Sequence, residues 1–288
     1  MARYLSVESE PIVICCYQCG AGFAFVNYDK IISFDMRWVL DSFVFAARVG
    51  GHCLPKERTQ LIRKAAMTTY STGIYTEPTE IDVHTLDNLG PLTRMAGIWK
   101  GSRSLDVPPK PAEAPERQKY IEHTELQPID PQTNGPQLLY GLRYHTRIVK
   151  PGEVETYHDQ VGYWLWEPAT GNLTQTVAIP RGQTVLAFGR ADRGDTSFEL
   201  LATRGTTTNG VLSNPFLESA FKTVEYRIQV QINPDGTWAY DEDTTLVVQG
   251  RSEPFHHTDH ALLTKIGEPT PNPLALAAAT RGTLVGRG

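Results

Sequence analysis

The residues best suited to chemistry in this sequence are three histidines near its C-terminal end, in the run Phe255-His256-His257-Thr258-Asp259-His260. A neutral imidazole is a good metal ligand, and a carboxylate such as Asp259 can hold its second nitrogen and so fix the ring. The same histidines with Asp259 offer zinc donors, although their spacing meets no short zinc motif. A solvated polar turn is the other use of such a run. His158 is the next candidate. On a regular strand it shares a face with Gln160, Trp164 and Trp166, so its imidazole would stand beside an aromatic wall. That wall could stack on a flat ligand or simply fill a core. Arg143, His145 and Arg147 form a basic stripe opposite Tyr140, Leu142 and Tyr144. By default such a stripe is the solvated face; facing a wet cavity, Arg143 would hold a carboxylate bidentately. Cys16-Tyr17-Gln18-Cys19 with His52-Cys53 amounts to half a zinc site, with no second knuckle. No nucleophile elbow, phosphate loop or H-E-x-x-H motif is present.

The elements that must position these residues read as strands. From Gly97 onward, the chain reads as strands, several of them alternating cleanly in polarity: 97–105, 119–127, 137–149, 156–167, 172–179, 184–190, 197–204, 223–233 and 238–249. Tyr226, Ile228, Val230 and Ile232 face one way, and Glu225, Arg227, Gln229 and Gln231 the other. Turn signals separate the runs: Pro168-Ala169-Thr170-Gly171, Pro180-Arg181-Gly182, Arg193-Gly194-Asp195 and Asn233-Pro234-Asp235-Gly236. In the last of these, Asp-Gly tolerates the positive φ of a tight hairpin. Residues 214–221 break the pattern and predict a helical turn or lid. The absence of βαβ periodicity excludes a parallel doubly wound fold. What remains is an antiparallel barrel or a sandwich, and pattern alone does not choose between them.

The chain has 288 residues, 40% of them hydrophobic and 20% charged, so it can bury a proper core. Its net charge of −5 and the lack of a dense Lys/Arg face argue against nucleic acid as a partner. No apolar run reaches the roughly 20 residues a membrane span needs. Residues 31–49 come nearest and are interrupted by Asp35, Arg37, Asp41 and Arg48. Glu8 and Glu10 stand where a secretory signal would be uncharged, which predicts a cytoplasmic protein. All four cysteines lie in the first 53 residues. Downstream this excludes a disulfide scaffold, thiolate ligation and covalent haem attachment. Residues 1–66 lack the strand grammar of the rest; they read as an extension, non-native or poorly ordered, with Met67 as the natural start. Residues 67–266 form the strand domain, and the Pro-rich, small-residue stretch 267–288 reads as a flexible tail.

Three stretches resemble the nitrobindin family of haem-binding, fatty-acid-binding-protein-like barrels. Gly97-Ile98-Trp99-Lys100-Gly101 is similar to the start of that family's G-x-W-x-G-x-G strand. His158-Asp159-Gln160-Val161-Gly162-Tyr163-Trp164 is similar to its H-x-E-x-G-(Y/F)-W segment. Phe255–His260 falls where the family carries its haem-ligating histidine. The resemblance covers residues 86–266 and implies an all-β, calycin-like antiparallel barrel of about ten strands. It also implies haem b held by His257 in first place or His256 in second, with Trp99, His158 and Trp164 around the ligand. The glycines flanking Trp99 would allow the close backbone approach of barrel closure, with Trp99 as plug or floor. Arg103 replaces the third glycine, and Asp106-Val107-Pro108-Pro109-Lys110 has no counterpart of the family's Y-P-T-I loop, so the chain reads as a divergent, bacterial-type member. The activity implied is ferric-haem chemistry on reactive nitrogen species, including isomerisation of peroxynitrite to nitrate. A homodimer is compatible with the family. The rival reading is an iron-free carrier of fatty acids or other anionic lipids that uses Arg143, and a third is a barrel serving only as an interaction module.

Overall fold

The computed structural model describes residues 73–109 and 117–280, apart from the side chains of residues 102 and 103. Before these it describes only four two-residue strands, Val13–Ile14 paired with Ala24–Phe25 and Arg48–Val49 paired with His52–Cys53. The chain divides into two units, Met1–Met67 and Thr68–Gly288. The side chains of Cys16, Cys19 and Cys53, and the expected character of residues 1–66, lie outside the described residues.

Twelve strands make the second unit: β1 Gly97–Val107, β2 Gln118–Pro128, β3 Gln132–Asn134, β4 Gln137–Val149, β5 Thr156–Glu167, β6 Asn172–Ile179, β7 Gln183–Arg190, β8 Ser197–Thr203, β9 Val211–Ser213, β10 Phe221–Ile232, β11 Trp238–Val248 and β12 Phe255–Gly267. Ten of them close into a ring in the order β6-β5-β4-β2-β1-β12-β11-β10-β8-β7, with β7 returning to β6. Every pairing is antiparallel. The short strands β3 and β9 lie off the ring, on β4 and β7. The fold is thus the antiparallel β-barrel implied by the resemblance, and a sandwich is excluded. It also adds a strand to the nine read from alternation, because the histidine-rich run Phe255–His260 opens β12 rather than a turn. The break at 214–221 is the short helix Pro215–Ala220, which we call α1, with Asn214 as its N-cap accepting from Leu217 N at 2.9 Å. A further helix, which we call α2, spans Pro273–Thr280 in the tail; ahead of it, Asn272 Nδ2 donates to Asp130 at 2.9 Å. Among the described residues, no helix is long and apolar enough to cross a membrane.

Alternation decides which side chains fill the ring. On β4, Tyr140, Leu142, Tyr144, Thr146 and Ile148 are buried, while Arg143, His145 and Arg147 are exposed. The two ends of the barrel differ. At the end where β1 begins, residues 89–95 tuck beneath the strands and bury Leu89, Leu92 and Met95 completely. Each such side chain contributes about 1.5–3 kcal/mol by leaving water. Trp99 lies on them, only 1% exposed, with its Nε1 donating to Met95 O at 2.8 Å and its ring edge-on to Trp238 at 6.2 Å. Gly90 makes this packing possible: its φ is +56°, and a Cβ there would stand 2.6 Å from the Trp166 ring. The opposite end, where β1 finishes and β5 and β12 begin, is not filled.

Candidate functional site

The unfilled end holds a cavity of about 550 Å³, continued inward by a pocket of about 60 Å³. Its walls carry Ile148, Val177, Ile179, Val185 and Leu246. Its mouth lies among Pro108, Pro109, Arg181 and the α1 residues Phe216 and Leu217. Inward-facing acids and imidazoles from five strands project into this space.

His257 is the centre of the group. Its Nε2 lies 2.8 Å from Asp106 Oδ1 and 3.9 Å from Asp259 Oδ2. Antiparallel pairing of β12 with β1 makes this possible: Asp259 is the register partner of Asp106, and His257 precedes it by two on the same face. Burial pulls the His257 pKa down, but the Asp106 hydrogen bond and the charges of Asp259 and Asp106 outweigh it, and the net shift is upward. His158 looks into the same cavity from β5, 3.2 Å from Gln160 Oε1. Its pKa is lowered, chiefly by burial, so it is held neutral.

Asp259 is pushed well above the ordinary carboxylate range by burial first and then by the charges of Glu242 and Asp106. Its Oδ1 is buried and has no hydrogen-bond partner. Glu242, its register partner on β11, is raised to about 7, mainly by burial. The Tyr226 hydroxyl lies 3.0 Å from both Glu242 Oε2 and Gln175 Oε1. One hydroxyl proton cannot serve two acceptors, so either Glu242 carries a proton or the Gln175 amide is turned. Deeper still, Glu122 is 2% exposed, accepts from Tyr240 at 2.8 Å and is likewise raised to about 7 by burial. Tyr240 in turn meets the Tyr120 hydroxyl at 3.1 Å.

Several residues singled out from sequence stand elsewhere. His256 points outward to Asp243 at 2.9 Å, and His260 outward to Asp241 at 2.8 Å, so of the three clustered histidines only His257 reaches the cavity. Adjacent residues on a strand must face opposite sides, which removes His256 as a ligand to anything inside. Trp99 does not border the cavity either: it belongs to the packed floor at the other end. Arg143 lies on the outer face, along a surface groove of about 1060 Å³ with Tyr163 and Leu186, and cannot grip a carboxylate inside the barrel. The arginine that does reach the mouth is Arg181, whose Nη2 donates to Tyr157 O at 2.9 Å. Trp164 is 3% exposed, borders the inner pocket and packs edge-on to Phe198 at 6.3 Å. Gly97 and Gly101 sit where β1 meets its neighbours. A Cβ on Gly97 would lie 2.5 Å from the Lys265 side chain, and one on Gly101 2.9 Å from Ser104 Oγ, next to a register shift. Sequence reading missed Asp106, Glu122, Glu242 and Arg181. The alternation that buries Tyr120, Thr124 and Leu126 also places Glu122 inside, and the face shared with Trp238 and Tyr240 carries Glu242.

A closed antiparallel barrel, packed at one end and hollow with convergent imidazoles at the other, defines a small-molecule-binding protein of the calycin type. A family model described as "THAP4-like, heme-binding beta-barrel domain" matches residues 88–265, more than half of the chain, and the chain belongs to that family. This agrees with the nitrobindin resemblance read from Gly97–Gly101, His158–Trp164 and Phe255–His260. Among solved structures the chain is similar to the crystal structure of Rv2717c from M. tuberculosis, at 20% identity and a TM-score of 0.42, over 64% of this chain and 98% of that one. No curated protein matches the sequence.

Proposed function

We propose that the cavity binds haem b and that His257 is its axial ligand. The observation that carries this reading is the His257–Asp106 pair on the cavity wall. Histidines that ligate metals almost always give their other ring nitrogen to a carboxylate, which fixes the ring and raises its basicity. Asp106 at 2.8 Å from Nε2 is that partner, and Nδ1 would be the atom that takes the iron. The rest of the lining fits the group. The volume falls within the roughly 300–1,000 Å³ of small-molecule pockets. The aliphatic walls suit a porphyrin face, and Arg181 at the mouth suits a propionate. His158, held neutral on the same cavity, would take a proton from or lend a hydrogen bond to a small molecule bound there.

Haem, when bound, would supply the bond chemistry, for which the family resemblance suggests peroxynitrite isomerisation to nitrate. The protein's own part is to hold one imidazole, exclude water with aliphatic walls and keep Glu242 and Glu122 as proton-bearing groups behind the site. An anionic-lipid carrier fits less well, because Arg143 faces outward and the interior is lined with acids. Haemin titration of the full chain with His257→Ala, His256→Ala and His158→Ala variants tests the reading. A sharp Soret band lost only in His257→Ala is expected; a band indifferent to His257→Ala would overturn it.

A further inference from the structure

Asp106, His257 and Asp259 each offer one ligand atom, and the three atoms lie within 4.8 Å of one another on the cavity wall. We propose that in the haem-free protein these three residues bind a divalent transition-metal ion of the zinc class. Several independent observations support a cation there. Asp259 Oδ1 is buried with no hydrogen-bond partner, and buried carboxylate oxygens are ordinarily paired or bound to metal. Its other oxygen, at 3.9 Å from His257 Nε2, is too far for a hydrogen bond but close enough to share an ion after a small movement. Glu242 adds a third carboxylate beside these two, while Arg181 at the rim is the only Lys or Arg lining the cavity among the described residues.

The ligand types narrow the choice. One imidazole and two carboxylates form a nitrogen–oxygen set suited to zinc, cobalt, manganese or ferrous iron and poorly suited to a thiophilic metal. Three protein ligands leave at least one position open, and that position faces the cavity. This is the arrangement of an exchangeable, substrate-accessible metal rather than a closed structural one. Binding displaces the proton that His257 now shares with Asp106. A neutral imidazole has one free lone pair: haem on the other ring nitrogen needs the proton on the Nε2 that faces Asp106, and an ion at Nε2 needs that proton elsewhere, so cation and haem exclude one another and the barrel has two mutually exclusive loaded forms. The local spacing around His257 does not reveal this site, since Asp106 is 151 positions away in sequence.

The test uses the full chain, freed of haem. Cobalt(II) is titrated by visible absorption and zinc by competition with a chelating dye, in the wild type and in Asp259→Asn, Asp106→Asn and His260→Ala. One equivalent per chain is expected, with affinity lowered at least about tenfold in both aspartate variants and unchanged in His260→Ala. Haemin should bleach the cobalt spectrum in step with the growth of the Soret band. Asp259→Asn is nearly isosteric and breaks no hydrogen bond at Oδ1; a zinc-induced rise in Tm that vanishes in this variant is the second readout. Absence of a cobalt spectrum, or equal affinity in Asp259→Asn, would overturn the metal site. That outcome is separate from the haem reading, which stands or falls on the Soret response of His257→Ala.

Discussion

Replacing Glu122 by Gln should change how the stability of the barrel depends on pH. Burial raises this carboxyl from an ordinary 4.5 to about 7 in the folded chain. A raised folded-state pKa on an acid means that the native state binds a proton more tightly than the unfolded one. The stabilisation is complete below pH 4.5 and is lost as pH rises through about 7. At about 1.4 kcal/mol per pKa unit, the full contribution is about 3 kcal/mol, and most of it disappears between pH 5 and pH 8. Gln keeps the shape and the Tyr240 hydrogen bond but cannot ionise. Urea melts followed by tryptophan fluorescence at pH 5, 6, 7 and 8 give the slope for each protein. The wild type should lose roughly 2–3 kcal/mol more than Glu122→Gln across that range. Equal slopes would show that Glu122 does not titrate between these limits and that the interior is wetter than its burial implies.

Gly162→Ala should be strongly destabilising, because its Cβ would lie 1.9 Å from Thr176 O and 2.9 Å from the Tyr144 ring; a loss of roughly 2–4 kcal/mol in thermal or urea melts is expected. Trp99→Leu should cost about 3 kcal/mol of stability, yet leave the position and sharpness of any Soret band unchanged, since Trp99 sits at the floor and not at the cavity. Asp106→Asn should lower the pKa of His257, whose upward shift depends on the Asp106 hydrogen bond and charge, and nitrogen-detected NMR titration of the ring reads this directly. A His257 pKa that does not fall in that variant would remove Asp106 from the role of orienting partner.

Much of the fold is legible in the sequence because the barrel wall is built by period-two alternation, and that signal is strong in segments such as Tyr226–Ile232. Ring closure is different. Nothing in strands 97–107 or 255–267 announces that they pair with each other, and the choice of barrel over sandwich came from the family resemblance. The candidate site was half legible. His257 and His158 carried visible chemistry, but adjacency alone could not say whether His256 or His257 faced inward; that depends on the pairing of Thr258 with Val107. Asp106 was hidden in a segment whose only visible property was its departure from the family's loop. Glu122 and Glu242 were overlooked for a physical reason. Acids are assigned to the wet face by default, and only an enclosed, partly polar interior gives them reason to point in.

The pairing of β1 with β12 joins the first and last strands of the ring. Until β12 has left the ribosome, β1 has no partner on one side and the wall remains an open curved sheet. Asp106 and His257 meet only at that last step, so the cavity chemistry described above cannot exist in any shorter nascent chain. The contacts that complete it span nearly the whole barrel in sequence, which places this protein among slow-folding topologies. Its unclosed edge, exposed throughout synthesis, is where a chaperone or a second unfinished chain would first attach.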